Sequence, residues 1–136
     1  LGKVLNADPR NHYVLGSFFD LATATETGFD PQQADKKFDA ILLDIDHSPT
    51  EYLNPSNAGF YTTPNLSLMA EHLIDDGVFA MWSQNPPEDD FIALLETVFE
   101  TVESHLVKFE NPFQGGFATN SVYVCERPIR KALTIE

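Results

Sequence analysis

Hydrophobic residues fall into short, nearly continuous runs separated by stretches with helical spacing. The run FDAILLDID begins at Phe38 and is apolar almost without a break up to Asp44, as in a parallel strand buried on both faces. A second such run, VFAMWS, begins at Val78. The β-branched and aromatic run Asn11–Leu15 (NHYVL), closed by Gly16, also has the composition of a strand. These runs predict three strands of one sheet.

Two longer stretches carry helix-start signals and then an apolar stripe. Thr63 followed by Pro64 predicts the start of one helix, which runs to the turn Asp75-Asp76-Gly77. Asn85-Pro86-Pro87-Glu88 resembles a capping box with proline in the first turn and predicts a second helix. The first stripe comprises Leu66, Met69, Ala70, Leu73 and Ile74, and the second comprises Phe91, Ile92, Leu94, Leu95, Val98, Phe99 and Val102. A shorter helix is predicted around Leu21–Thr25.

The pattern changes after His105, where HLVKFE and SVYVCE flank a turn marked by Gly115-Gly116. Two strand-like runs joined in this way predict an antiparallel hairpin. Before it, alternating buried strands and helices imply right-handed crossovers. We therefore expect one α/β domain over residues 1–136 with a doubly wound sheet that is mostly parallel and ends in an antiparallel strand pair.

Composition narrows the class of protein. The chain carries 21 acidic against 8 basic residues, for a formal net charge of -13, and 43% of its residues are hydrophobic. Such a chain is expected to fold, and it lacks the basic clusters that nucleic acid requires. A lone cysteine, Cys125, cannot form an internal disulfide, and we expect it to be buried and inert in a reducing compartment, the cytoplasm by default. No apolar run reaches the roughly 20 residues of a membrane span, so no membrane partner is expected.

Ligands of open parallel sheets bind beyond the carboxyl ends of the strands, so the residues that follow each predicted strand are the candidates for a site. These residues are Gly16, Ser17, Phe18 and Asp20 after the first strand, Asp44, Asp46 and His47 after the second, and Ser83, Gln84 and Asn85 after the third. Trp82, at the end of the third strand, either stacks on a ligand or belongs to the core.

Three interpretations of the role of the segment LLDIDHSP are open. Its Asp and Ser residues are ordinary turn formers. Alternatively, a carboxylate emerging from a buried strand accepts a proton or hydrogen bond from an amine or hydroxyl substrate. Asp44, Asp46 and His47 are also plausible metal ligands, although no HExxH, CxxC or EF-hand spacing accompanies them. GxSxG, Walker and GxGxxG motifs are absent from the sequence, which argues against serine hydrolysis and P-loop chemistry.

The series DPRNHYVLGSFFDL, FDAILLDIDHSP, Phe60-Tyr61 and AEHLIDDGVFAMWS resembles the later half of spermidine synthase-like proteins, of the S-adenosylmethionine-dependent methyltransferase superfamily. The resemblance covers nearly the whole chain and rests on the order and spacing of three motifs. The family's adenine-contacting GD turn corresponds to Gly16-Ser17, its aspartate-rich loop to Asp44 through Pro49, and its pGGv turn to Asp76-Gly77-Val78.

The resemblance implies transfer of an aminopropyl or methyl group from S-adenosylmethionine or its decarboxylated form to a nucleophile, without a metal. Asp44 would be the catalytic residue that accepts or orients the nucleophile's proton. It also implies two groups of binding residues: Gly16, Ser17, Phe18 and Asp44 for the donor, and Asp46, His47 and Trp82 for the acceptor.

Two positions depart from the family. Ser17 stands where the family has its adenine-contacting aspartate, and a hydroxyl accepts an amino hydrogen bond less strongly than a carboxylate. In the family's DxxD loop Asp44 matches the first aspartate, but His47 takes the place of the last, with Asp46 one position earlier. Polyamine specificity therefore stays open. The alternatives are a non-catalytic methyltransferase-like binding module and, third, a metal-dependent hydrolase built on DIDH.

The resemblance also places the family's glycine-rich loop and ribose-binding acid before Leu1. Together with LGKVLNADPR, which reads as the tail of a helix, this predicts a C-terminal piece of a larger Rossmann-like domain that is inactive by itself. A sheet without its neighbouring strands exposes an edge and apolar faces, so we expect a homodimer.

Overall fold

Four strands and three α-helices form the part of the chain described by the computed structural model, residues 7–130. The strands are β1 (Phe38–Leu43), β2 (Leu73–Ser83), β3 (Phe99–Glu110) and β4 (Phe117–Pro128). The helices are α1 (Phe18–Thr23), α2 (Thr63–Ala70) and α3 (Asp89–Glu96), with 3-10 turns at Pro31–Gln33 and Pro55–Phe60. The expected helix tail falls largely on residues 1–6, outside the described residues.

The strands form one open, mixed sheet in the order β1-β2-β4-β3. β1 pairs with β2 in parallel, whereas β4 is antiparallel to both of its neighbours, β2 and β3. An α/β fold is confirmed, but the expectation of a mostly parallel sheet is wrong. The reason is the place of the hairpin: its second strand, β4, folds back between β2 and β3, so both of its pairings are antiparallel.

Residues 11–15 are not a strand. They lie in an irregular segment in which Tyr13 is 57% and Leu15 fully exposed. β-branched and aromatic residues favour a strand because they pack against neighbours on a pleated surface. Within residues 7–130 no strand pairs with this segment, so the prediction is wrong for lack of a partner.

Both predicted helices end earlier than their apolar stripes. Leu73 and Ile74 belong to β2, and Phe99 and Val102 belong to β3. After α2 the amide of Phe38 donates to the carbonyl of His72 at 2.8 Å, and the parallel pairing of β1 with β2 begins there. An apolar spacing of three or four residues can thus continue from a helix into the following strand, because both elements pack against the same core.

The helix starts differ in part from their sequence signals: the N-cap of α3 is Glu88, without a side-chain cap, and not Asn85, and α1 begins at Phe18, before the helix predicted around Leu21–Thr25. The strands predicted from Phe38 and Val78 are confirmed, as is the terminal hairpin. Gly115 and Gly116 both have positive φ, near 73° and 72°, which side chains disfavour. Among residues 7–130, no helix is long and apolar enough to cross a membrane.

The core lies on one face of the sheet. There Phe79, Met81, Tyr123 and Cys125 are buried, together with apolar residues of the helices, which include Leu66, Met69, Phe91 and Leu95. The burial expected for Cys125 is confirmed. The opposite face is largely open: Leu42 is 77% exposed, and Ala80, Trp82, Val122 and Val124 are half-buried. At the carboxyl ends of β1 and β2, one face of the sheet is therefore packed against the core and the other is accessible to ligands.

Candidate functional site

Asp44 and Trp82 line one shallow recess on the open face of the sheet. The parallel pairing sets Leu43 beside Met81, which places Asp44 and Trp82 at the carboxyl ends of neighbouring strands. The recess has a volume of about 180 Å³. Its lining consists of Leu42, Leu43, Asp44, Ala80, Met81, Trp82 and Val122. Among the described residues of this lining, Asp44 alone is ionisable, so a single carboxylate borders an otherwise apolar surface. We refer to it as the Asp44–Trp82 recess.

The Asp44 carboxylate is exposed and accepts no hydrogen bond from any residue in the range 7–130. An ionised carboxylate is an acceptor with about four lone-pair sites. Because residues 7–130 use none of these sites, this group is open to an ammonium or hydroxyl ligand within the part of the chain that the structure describes.

Trp82 is held in a fixed orientation by Asn120. With the Asn120 amide turned so that both of its ends are satisfied, its oxygen accepts from Trp82 Nε1 at 3.1 Å and its nitrogen donates to the Thr119 carbonyl at 3.0 Å. The half-buried indole then forms one wall of the recess. The face of an indole attracts cations, so both polar features of the recess favour positive charge.

Asp46 points into the protein, unlike Asp44 two residues earlier. Its carboxylate is 1% exposed and accepts three hydrogen bonds: from the Leu53 amide at 2.7 Å, Asn57 Nδ2 at 2.8 Å and the Tyr61 hydroxyl at 2.6 Å. Burial and the Asp46 carboxylate raise the pKa of Tyr61, so its hydroxyl remains a donor. These contacts give Asp46 the task of fixing residues 53–61 beside the site.

The loop after Asp46 is tied to the end of β2. The His47 imidazole is exposed, while its backbone carbonyl accepts from the Gln84 amide at 2.8 Å. The Glu51 carboxylate accepts from Gln84 Nε2 at 3.0 Å and from Asn85 Nδ2 at 2.8 Å. Hydrogen bonds thus connect the candidate residues that follow the second predicted strand with those that follow the third, and Glu51 provides two of these bonds. No motif in the sequence singles Glu51 out.

Gly16, Ser17 and Phe18 lie at the start of α1, beside the other edge of β1. Ser17 is the N-cap, and its hydroxyl oxygen accepts from the Asp20 amide at 3.5 Å. Phe18 packs against the rings of Phe19, Phe29 and Phe60. It also lines an apolar recess of about 170 Å³, together with Phe29, Phe38, Ala40 and Ile41. Within residues 7–130 no hydrogen bond or ring contact joins Gly16, Ser17 or Phe18 to Asp44. Of these three predicted donor residues, Phe18 lines the second recess.

The three metal-ligand candidates do not converge. Asp46 is internal, whereas the side chains of Asp44 and His47 are exposed. In the described part of the chain, no group of three or more His, Cys, Asp or Glu side chains is placed to hold a metal ion.

No protein-family model matches this chain, and no curated protein matches it.

Proposed function

We propose that the Asp44–Trp82 recess binds an organic cation as the acceptor site of a spermidine synthase-like transferase. The reaction would move an aminopropyl or methyl group from an adenosyl sulfonium donor to an acceptor nucleophile, in a protein with the Rossmann-like methyltransferase fold. The observation that carries the proposal is that an unpartnered carboxylate and a fixed indole share one otherwise apolar recess.

An alkylammonium ion matches this recess chemically. Its charged head would contact Asp44, its methylene groups would cover Leu42 and Val122, and the face of Trp82 would add roughly 0.5–1 kcal/mol of cation–π attraction. The net charge of -13 concentrates cations near the whole surface, which assists any cationic substrate. A sulfonium ion has the same combination of positive charge and apolar substituents.

The resemblance and the recess together support a direct displacement. A bound sulfonium donor supplies an activated carbon and a neutral thioether leaving group. The ammonium head of the acceptor first gives one proton to Asp44, whose exposure lets that proton pass on to water. The neutral nitrogen then forms the nitrogen–carbon bond as the carbon–sulfur bond breaks, so the thioether leaves uncharged and the positive charge of the sulfonium passes to the product ammonium. Trp82 orients the acceptor.

The second recess fits the adenine of the donor. Its aromatic lining by Phe18 and Phe29 offers a surface for a flat base. The Ser17 oxygen accepts from the backbone, but its hydroxyl hydrogen remains able to donate to a ring nitrogen. We propose the cytoplasm as the compartment, since a lone buried cysteine suits a reducing environment.

A non-catalytic methyltransferase-like module is the second candidate. It is favoured because two groups predicted to bind ligands already accept hydrogen bonds from the chain itself. The Ser17 oxygen caps α1, and the Asp46 carboxylate accepts from three donors. Such a module would bind a nucleoside or an amine without transferring a group.

Titration calorimetry with matched variants tests the acceptor site. The ligands are putrescine, S-adenosylmethionine, its decarboxylated form and methylthioadenosine. Asp44→Asn removes the charge in the recess, and Asp39→Asn removes the same charge from an exposed residue at the other end of β1, about 16 Å away. We expect Asp44→Asn to weaken putrescine binding roughly tenfold to a hundredfold, as loss of a charge-assisted hydrogen bond does, while Asp39→Asn leaves it unchanged.

The outcomes separate the candidates. Equal weakening by both variants would mean that only the overall charge attracts amines, and the acceptor site would be rejected. Putrescine binding that depends on Asp44, together with donor binding and formation of the thioether product, supports the transferase. If a longer protein that contains this chain binds the ligands but forms no thioether product, that result supports the non-catalytic module.

A further inference from the structure

The open face of the sheet arranges its side chains in rows that cross the strands. The pairing of β2 with β4 sets Trp82 beside Val122, and the pairing of β3 with β4 sets Val122 beside His105. Asp44 comes directly after β1 and lies on the other side of Trp82 in the same recess. The row therefore begins with a carboxylate, continues with an indole and an aliphatic side chain, and ends with an imidazole on the far strand.

Another carboxylate on this face lies far from Asp44. Glu103 is directly opposite Val124 in the pairing of β3 with β4, and Val124 shares the open face with Val122. Three strand spacings of about 4.8 Å separate β1 from β3, which puts Glu103 at least about 14 Å from Asp44. The Glu103 carboxylate also contacts Nε2 of His105 at 3.3 Å. Glu103 is therefore outside the recess and has a neighbour of its own.

The two other carboxylates of the loop after β1 are engaged by the protein. Asp46 is internal and accepts three hydrogen bonds. Each oxygen of Glu51 accepts from an amide nitrogen, Oε2 from Gln84 and Oε1 from Asn85. Neither Asp46 nor Glu51 is among the described residues that line the recess. Within that lining, a cation therefore meets the single carboxylate of Asp44.

We propose that the Asp44–Trp82 recess selects a cation with one ammonium group and an apolar tail, and selects against short diamines. The inference rests on the proposed function, because it specifies the acceptor of that same site. The two nitrogens of a four-carbon diamine are about 6 Å apart, too close to reach both Asp44 and Glu103. Its second ammonium would lie against the walls formed by Leu42 and Val122, where a charge without a partner is unfavourable. An alkyl tail would instead cover these walls.

Two amines with the same four-carbon chain, n-butylammonium and putrescine, test this selectivity. Trp82 is the only tryptophan of the chain, so its fluorescence reports binding in the recess and not elsewhere on the acidic surface. The titrations use the full chain in salt of about 150 mM, where the Debye length of about 8 Å screens distant charges. We expect putrescine to bind about fourfold more weakly than n-butylammonium, which is the effect of withdrawing one methylene from an apolar wall.

Val122→Glu supplies the second carboxylate that the recess lacks. Val122 lies two strand spacings from Asp44, about 10 Å, a span that a four-carbon diamine can bridge with one ammonium at each carboxylate. We expect this variant to raise the affinity for putrescine relative to n-butylammonium about fivefold, as one additional exposed ion pair does, which reverses the wild-type preference. Val122→Gln controls for the polar side chain. Val107→Glu adds the same charge to the same face outside the recess and controls for net charge.

The outcomes separate this inference from the proposed function. Tighter binding of putrescine than of n-butylammonium by the wild type would overturn the inference and leave the cation site in place; loss of that preference in Glu51→Gln would then assign the second ammonium to Glu51. No fluorescence response to either amine would reject the cation site and the inference with it. Equal effects of Val122→Glu and Val107→Glu would show that net charge sets the preference, which also contradicts the inference. Circular dichroism shows whether each variant folds, and the comparison of the two amines on the wild type does not depend on the variants.

Discussion

Replacing Asp46 by alanine should destabilise the protein far more than replacing Asp44, although both aspartates belong to the same short loop. The Asp46 carboxylate is the common acceptor for the Leu53 amide, the Asn57 side chain and the Tyr61 hydroxyl. Alanine leaves all three donors without an acceptor. The Asp44 side chain has no such contacts within the described residues.

The expected loss in the free energy of unfolding depends on how deeply each of the three donors is buried. An unpaired buried donor costs about 1–3 kcal/mol. Asn57 is 9% exposed and should incur most of that cost, whereas Leu53 is 66% exposed and its amide can reach water more easily once the loop relaxes. We therefore expect Asp46→Ala to lower the free energy of unfolding by about 3–5 kcal/mol, a large part of the roughly 5–15 kcal/mol that a domain has. Asp44→Ala should change it by less than about 0.5 kcal/mol.

Urea unfolding followed by circular dichroism measures both changes. With a slope of about 1–3 kcal/mol per molar urea, a loss of about 4 kcal/mol lowers the midpoint by about 2 M. Tyr61→Phe removes one of the three donors and should cost about 1 kcal/mol, which apportions the network.

Equal midpoints for Asp46→Ala and Asp44→Ala would refute this reasoning. That result would mean that the segment 53–61 keeps its position without the buried carboxylate. A large loss for Tyr61→Phe with a small one for Asp46→Ala would instead assign the stability to the packing of the Tyr61 ring.

Three further predictions concern groups away from this loop. Burial lowers the pKa of His72, so at a pH below the ordinary histidine pKa of about 6.5 the unfolded chain binds a proton more readily than the folded chain does. The free energy of unfolding should therefore fall as the pH drops from 7 towards about 5.5. His72→Gln, which can keep a hydrogen-bond donor at this position, should reduce that pH dependence in urea titrations. Gly77→Ala should lower stability by about 1–3 kcal/mol in thermal unfolding, because a Cβ would lie 2.8 Å from Leu73 Cβ, whereas Gly59→Ala meets open space. Burial raises the pKa of Cys125 to about 12, so a thiol reagent should react with it only as fast as the protein opens; rapid reaction of the folded protein would show that the thiol is accessible.

The strands with continuous apolar runs were predictable because burial on the sheet demands such runs. Phe38–Leu43 and the strand through Val78 form as expected, and Gly115 and Gly116 supply the turn of the hairpin. The boundaries of the helices were not predictable, because Leu73 satisfies helical spacing and strand burial equally well. Only the tertiary pairing of β1 with β2 decides between them.

The candidate site was predictable at the level of strand ends. The topology rule brings Asp44 and Trp82 into one recess without any recognisable motif. The opposite orientations of Asp44 and Asp46 depend on Asn57 and Tyr61, which arrive from a distant turn and leave no local trace in the DIDH segment. The same holds for Glu51, whose partners follow another strand.

The position of β2 between β1 and β4 sets the order in which the sheet can open. Residues Val78–Met81 pair with strands on both sides, and Phe79 and Met81 are buried in the core, so their amides should exchange with solvent only when the whole protein unfolds. Within residues 7–130, β1 pairs with a strand on one side only, so its carboxyl end can separate there at much lower cost. The Asp44–Trp82 recess thus has one wall on the most persistent strand and the other on an edge strand, so its width can change by local opening of β1 while the Trp82 wall stays in place.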